Sequence, residues 1–559
     1  MNMRRMKRFS PWFVFPLVIL CALLVSQSVQ AWESKGHHPH YKVVRLTEDT
    51  LFAGCNGAVI GLDGALYVVH TGDGSTSRID LRTLKVTPFV SPNEGVFISD
   101  DIAIDDKGNF FITGTTPLVA EVYRVNKNGI KTVIAKDGLL APNGIRYNFR
   151  TGRLFTSECF QANRVFELDP NGVNPPKLLV GPNVILVPEG FDFDPYTNDL
   201  IIPDMGTGKI LRVNPDSGSI STIAEGFASP IALKVGPDKM IYFPQLGGGV
   251  YRVSLDGKKS EKLAQLPPGL DNLAITPEGR LYITSYWDAT VYKVATDGSG
   301  KYETLFPTGP NSINGIIFKN GKVLISDAIM IRILEKHKYT PTTLNAWATS
   351  GMPLPLGLAN GPGDWIFWPD CIDNAVAMGN PSTGEFHAIA GGLNRPMAVL
   401  MNENGSKLYI AEYGGGQITE LSLSDYSKQV VTTGLEGPLA LAIIGNTLYA
   451  AEAKVGRISK VDLASGKKEI FITGLGKLGA LADDGAGNLL ALDDASGRLF
   501  RIDPKNLNLS IIAEGLPVAN VSIGSYPVVE FPYPMTVSPQ GDIYIPTADR
   551  GVIMLQKIE

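Results

Sequence analysis

The chain has 559 residues, with 50 lysines and arginines against 55 aspartates and glutamates, a net charge of −5, and 60 glycines and 38 prolines. That much glycine and proline, together with frequent Val, Ile and Tyr, excludes a helical protein of this size and points to short strands joined by tight turns. The acidic balance and the lack of any basic block exclude an electrostatic footprint for nucleic acid.

Residues 1–31 read as an export signal. Met1–Ser10 carries Arg4, Arg5, Lys7 and Arg8 and no acid, an apolar run extends from Pro11 to Val25, and Val29-Gln30-Ala31 has the small-residue end of a cleavage site. The expectation is an exported protein, periplasmic or secreted, with no stable membrane insertion; an uncleaved anchor is the lesser alternative. Removal of the leader leaves 46 basic against 55 acidic residues, or −9, and three cysteines, Cys55, Cys159 and Cys371. Their wide spacing excludes a metal knuckle, and three buried thiols are expected. His37, His38 and His40 follow in an extension expected to be unstructured.

From there to the C-terminus the chain repeats. Each unit opens on a small or turn residue, then an apolar strand, a turn bearing Gly, Asn or Asp, and a second strand of the type Leu-Tyr-Ile. Asn143–Glu158, Asn272–Ser285 and Met397–Glu412 are the clearest examples, and third strands recur as Val122–Val125, Val250–Val253, Val291–Val294 and Leu499–Ile502. Aligned starts fall at Asn56, Asp101, Asn143, Glu189, Pro230, Asn272, Asn314, Leu356, Met397, Leu439, Gly479 and Met535; ten of the eleven spacings are 40–46 residues and the last is 56. Four strands in about 40 residues is the β-propeller period. The fold class predicted is therefore all-β, a propeller of twelve four-stranded blades in two six-bladed rings. One ring spans 32–311 and the other 312–559, with a split that could be offset by one blade. The last unit holds only three strands, and Tyr41–Leu46 can supply its missing outer strand by pairing with Val552–Ile558, which would hide an exposed edge.

The first residue of each inner strand faces the axial opening. In units 1 to 7 that position reads Asn, Asp, Asn, Glu, Pro, Asn, Asn; in units 8 to 12 it reads Leu, Met, Leu, Gly, Met. Converging carboxylate and amide oxygens suit a hard divalent cation, Ca²⁺ above all, which takes roughly 6–8 oxygen ligands. The competing explanation is that Asn-Gly and Asp-Gly pairs are ordinary turn residues. Glu189 resists it, because Glu is a poor turn residue and yet stands at the same register. Asp204, ending the second strand of unit 4, and Asp271, beside Asn272, are candidate general bases, and each is equally readable as an exposed strand-end Asp. A lone His70 reads as structural. Tyr286, Trp287, Phe243 and Trp368 either line a pocket mouth or pack between blades, and residues 525–534 form an apolar, proline-stiffened loop. Serine-hydrolase elbows, phosphate loops and dinucleotide fingerprints are absent.

The segments 141–158 (APNGIRYNFRTGRLFTSE), 187–204 (VPEGFDFDPYTNDLIIPD) and 270–285 (LDNLAITPEGRLYITS) resemble the SMP-30/gluconolactonase-like calcium-dependent six-bladed propellers. That resemblance implies a metal-dependent hydrolase of lactones or related esters. By motif, Glu189 matches the metal-binding Glu and Asn143 the metal-binding Asn, with Asp101 and Asn272 as positional candidates for further ligands. The order of acids around the ring departs from the family's, and the chain has twice the blades. The expected partner is a small-molecule substrate. Two other readings stay open: a non-enzymatic binding scaffold, since fold does not fix function, and a propeller lyase or synthase of the virginiamycin-lyase-like or strictosidine-synthase-like kind.

Overall fold

The computed structural model describes residues 40–92, 99–115, 120–160, 162–327, 330–335, 337–345, 355, 357–518 and 533–558. The leader, His37, His38, Leu356 and most of the 525–534 loop lie outside them.

Twelve antiparallel four-stranded sheets make up the described chain. Numbered along it, blades 1 to 6 span 55–90, 99–135, 142–180, 192–225, 234–265 and 270–304, and blades 7 to 11 span 315–345, 359–390, 396–433, 438–473 and 478–513. Blade 12 is composite: Thr536–Val537, Ile543–Pro546 and Val552–Lys557 are completed by Tyr41–Arg45. Among the described residues no helix is long and apolar enough to cross a membrane.

The alternation of side chains along each second strand assembles these sheets. Successive residues point to opposite faces, and both faces are covered, so Leu66–His70, Leu200–Asp204 and Leu489–Asp493 are buried at every position. Leu66 packs with Tyr282 and Val291 of blade 6, while its neighbour Tyr67 packs with Phe110 and Ile112 of blade 2. Leu200 faces Phe155 of blade 3, and Ile201 faces Phe243 of blade 5. With the cores between blades 2 and 3 and between 5 and 6, blades 1 to 6 close into one cycle. Blades 7 to 12 close into another, sealed where Val323 and Ile325 of blade 7 meet Tyr544 and Val552 of blade 12. Phe243 and Trp368 belong to these inter-blade cores. Outer strands lie at the periphery, and Lys131–Ala135 and Ser260–Gln265 leave their first three residues in solvent.

The strand Tyr41–Arg45 pairs antiparallel with Val552–Lys557, Tyr41 opposite Lys557, as the sequence predicts. Its Tyr41 and Val43 pack on the core shared by blades 11 and 12. The first cycle is thus inserted between the outer strand of the second and everything that follows. Its entry and exit run side by side: the Phe52 ring lies edge-on to Phe306 at 5.0 Å, and Thr50 Oγ1 donates to the carbonyl of Pro310 at 3.3 Å. Removing the half-buried Tyr41 ring should loosen this closure. Tyr41→Ala is expected to cost about 1–2 kcal/mol, read as a lower melting temperature in a thermal unfolding scan.

Candidate functional site at the mouth of the first ring

A β-bulge opens the inner strands of the first ring. The pairing register shifts between Cys55 and Ala58, Ser99 and Ile102, Pro142 and Ile145, and Leu270 and Leu273, setting two residues against one on the partner strand. Isolated bridges Pro188–Asp204 and Pro230–Gln245 hold the same position in blades 4 and 5. Each blade therefore presents a pair of consecutive residues to the axis. The first members are Asn56, Asp100, Asn143, Glu189, Ile231 and Asp271. The second members are Gly57, Asp101, Gly144, Gly190, Ala232 and Asn272.

Five of the six first members are polar, the exception being Ile231 of blade 5. Asn56 and Asn143 donate side-chain hydrogen bonds to the Asp100 carboxylate, and Asn143 also donates to Glu189. Asn56 amide nitrogen further donates to Thr71 Oγ1 at 3.1 Å, while its oxygen Oδ1 is buried without a partner. Burial, then the neighbouring Asp101 charge, pushes the Asp100 carboxyl up to about 7. Burial followed by Asp100 and Asp271 holds Glu189 well above the usual carboxylate range, and burial followed by Asp100 and Asp101 does the same to Asp271. Like charges sharing a water-poor site favour the protonated form. The Cys159 thiol lies in the same field: burial first, then Glu189, holds it protonated and unreactive.

The second members make a floor. Asn272 Nδ2 donates to Asp101 Oδ1 at 3.0 Å, an oxygen that also accepts the Ile102 N–H, while Asp101 Oδ2 takes the N–H of Ile145 and Asn272 Oδ1 that of Leu273. This crosslink needs small neighbours. A Cβ on Gly57 would stand 2.4 Å from Asp101 Cα, and one on Gly190 would stand 3.3 Å from Asn272 Nδ2. The structure places Asn143 and Glu189 side by side at the mouth, and places Asp101 and Asn272, the other two candidate ligands, one residue past it. Asp100 and Asp271 share the mouth, whereas Asp101 and Asn272 close the channel beneath it. Asp100 was missed by the sequence reading. Its register was legible in Pro142, Pro188 and Pro230, each of which immediately precedes the mouth residue of its blade.

Asp204 has a different task. It accepts from the backbone N–H groups of Leu186, Val187, Gly206 and Thr207 and from the Thr207 hydroxyl at 2.7 Å. Glu158, Glu412, Glu452 and Asp493 stand at the same strand end and accept backbone N–H groups of the incoming loop in the same way. The geometry makes Asp204 one of a series of loop-fixing carboxylates, with its acceptors occupied. His70 is likewise structural: it stacks on Phe52 at 4.9 Å, Nε2 meets Ser77 Oγ at 2.8 Å, and burial lowers its pKa to about 4. Tyr286 is buried beside Asn311 at the edge of the mouth.

Among the described residues, no three His, Cys, Asp or Glu side chains are gathered tightly enough to grip an ion by themselves. At this mouth the amides of Asn56 and Asn143 alternate with the carboxylates. The donor set is all oxygen, and the orphaned Asn56 Oδ1 is an acceptor that a hard cation would satisfy.

No family model and no curated protein matches the sequence. Among solved structures, a chain of the nidogen/laminin complex aligns at 21% identity over 40% of this chain and 85% of its own, with a TM-score of 0.35. A protein provisionally assigned as a gluconolactonase aligns at 18% identity over 48% and 93%, TM-score 0.37. The GH74 enzyme of Niastella koreensis aligns at 12% identity over 91% and 99%, TM-score 0.38. Likenesses this weak carry neither family nor activity to this chain, whose propeller architecture rests on its own twelve sheets.

Proposed function

We propose that the mouth of the first ring is a hydrolytic site for a lactone or ester-like small molecule, built around a divalent cation of the calcium type. The observation that carries this reading is the trio Asp100, Glu189 and Asp271, near enough that their charges act on one another, with no lysine or arginine among the groups that govern their ionisation. Buried carboxylates without a cationic partner are costly unless protonated or metal-bound. Asp100, Glu189, Asn143 and Asn56 would hold the ion, with the amides turning their oxygens inward. When bound, it would polarise the substrate carbonyl and stabilise charge developing on its oxygen.

The chain's own residues supply the proton handling. Asp271, reaching the mouth from the other side of blade 1, accepts a proton from a water as the water oxygen bonds to the carbonyl carbon. When the ester C–O bond breaks, the departing alkoxide takes that proton back. Burial and the Asp100 and Asp101 charges raise the Asp271 pKa, which makes its carboxylate, once ionised, a stronger base. Beneath, the Asp101–Asn272 crosslink bars passage through the ring, so the substrate enters and leaves by the mouth.

The test is hydrolysis of a panel of lactones and aryl esters by the full chain, with and without Ca²⁺ after chelation. Glu189→Gln should lower the metal-dependent rate by about 100-fold or more, since such an ion contributes several kcal/mol to charge stabilisation. Met397→Ala, on the axis of the other ring, should leave it unchanged. Turnover that survives both Glu189→Gln and chelation would overturn the mechanism. Metal binding without turnover on any substrate would favour a cation-stabilised binding scaffold instead.

A further inference from the structure

The second ring carries a different kind of site. A bulge also opens the inner strands of blades 9, 10 and 11, but the level that forms the floor of the first ring reads Gly315, Gly357, Ala398, Ala440, Ala480 and Thr536. Nothing there corresponds to the Asp101–Asn272 crosslink, and a cavity of about 400 Å³ occupies the axis. That volume lies within the range of small-molecule pockets. Its side-chain walls are mostly aliphatic, with Leu358, Leu400 and Ile443 each half-buried on the channel, and Asn314, Asn360 and Thr536 add uncharged polar groups. Among the described lining residues the only charged ones are Glu403, in the turn after the inner strand of blade 9, and Asp483, the last residue of the inner strand of blade 11; both are exposed and lie at the end opposite Met397 and Met535. No lysine, arginine or histidine is among the described residues that line the cavity.

We infer that this channel binds a small cationic amphiphile, an amine carrying an aliphatic body. The apolar walls take the chain, whose transfer from water supplies the driving force. The carboxylates of Glu403 and Asp483 take the ammonium, which can also donate to carbonyls on the free edges of the inner strands. A carboxylate head would meet two like charges and no cation. The bare strand edges explain why the ligand must have donors as well as a hydrophobic body: a purely hydrocarbon guest would leave those backbone groups without partners. This site is independent of the proposed hydrolytic mouth, since the two belong to different rings.

The experiment is titration calorimetry of the full chain with octylamine, octanol and octanoate, each below its aggregation concentration. Octylamine should bind most tightly, with octanol about 2–5-fold weaker, the range expected of a solvent-exposed ion pair, and octanoate weakest. Ala398→Phe, which puts a ring into the channel, should weaken octylamine by about 10-fold or more, and Ala482→Phe does the same from another blade if the first variant fails to fold. The double variant Glu403→Gln/Asp483→Asn should erase the preference for octylamine over octanol while keeping octanol binding. Octanoate binding as well as octylamine would overturn the assignment of the head group. Failure of all three to bind, or binding indifferent to both Phe variants, would overturn the site.

Discussion

Stripped of divalent ions by a chelator, the protein is expected to lose stability as the pH rises from about 4 to about 8, and Ca²⁺ should restore it most at the upper end. Asp100 is held at about 7 in the folded chain against an ordinary value of 3.8. Between those values the folded state binds the proton that the unfolded state has released, so stability falls with rising pH. The contribution is fully present below about 4 and gone above about 7, a swing of roughly 2–4 kcal/mol for one such group, the lower figure allowing for solvent at the mouth. Glu189 and Asp271, raised by burial and by their neighbours, act in the same direction. Asp194 lies outside this window: its burial is outweighed by bonds from Tyr196 and Arg212, so it titrates below the ordinary carboxylate range. Asp100→Asn should flatten the pH dependence, raise the melting temperature of the chelated protein at pH 8, and blunt its response to Ca²⁺. Melting curves at pH 5 and 8, with chelator and with Ca²⁺, read all three effects. A chelated protein that grows steadily more stable from pH 5 to 8 would show that the three carboxylates do not strain the mouth.

The second large effect is expected at the junction of the rings. Arg332 and Asp327 of blade 7 form an ion pair of 2.5 Å, with side chains 2% and 0% exposed. Asp327 also accepts the backbone N–H groups of Asn311 and Ser312 at 2.8 and 3.0 Å, while Arg332 reaches out of its ring to donate to the Trp287 carbonyl of blade 6. Arg332→Met leaves a carboxylate buried without its cation, for which the expected loss is about 3–5 kcal/mol. Adding Asp327→Asn to it should recover part of that loss, because the amide keeps an acceptor for Asn311 and Ser312 and carries no charge. Chemical denaturation of the wild type, the single and the double variant measures the difference. A single variant as stable as wild type would mean that water or another group already compensates Asp327.

The repeat length and the apolar second strands made the twelve blades legible in the sequence, because a strand buried on both faces has little room for polar residues. Closure of blade 12 was legible too, since Tyr41–Leu46 stood unassigned and the last unit lacked a strand. The site was harder to locate, and the reason is the bulge. Where the pair is Asn-Gly or Glu-Gly, the glycine marks which member faces the mouth. In Asp100-Asp101 and Asp271-Asn272 both members are polar, and a bulge breaks the two-residue alternation that would otherwise separate them. Asp204 misled for another reason: a strand-end acid that gathers loop N–H groups looks, in sequence, the same as one that faces a substrate. Only the recurrence of Glu158, Glu412, Glu452 and Asp493 at the same strand end reveals the difference.

The insertion of the first ring has a consequence for biosynthesis. Tyr41 and its partner Lys557 lie 516 residues apart, so the strand that completes the second ring leaves the ribosome before either ring and waits until its partner has been made. At about 5–20 residues per second that wait is on the order of 25–100 s, during which blades 1 to 6 can be completed and can fold, while Tyr41 and Val43 have no core to cover. The first ring closes through contacts made inside its own segment, whereas the second depends on the most distant pairing in the molecule, the kind that slows folding. Chains released early would therefore carry a finished first ring and an open second one, leaving an unpaired strand edge for chaperones or proteases to recognise.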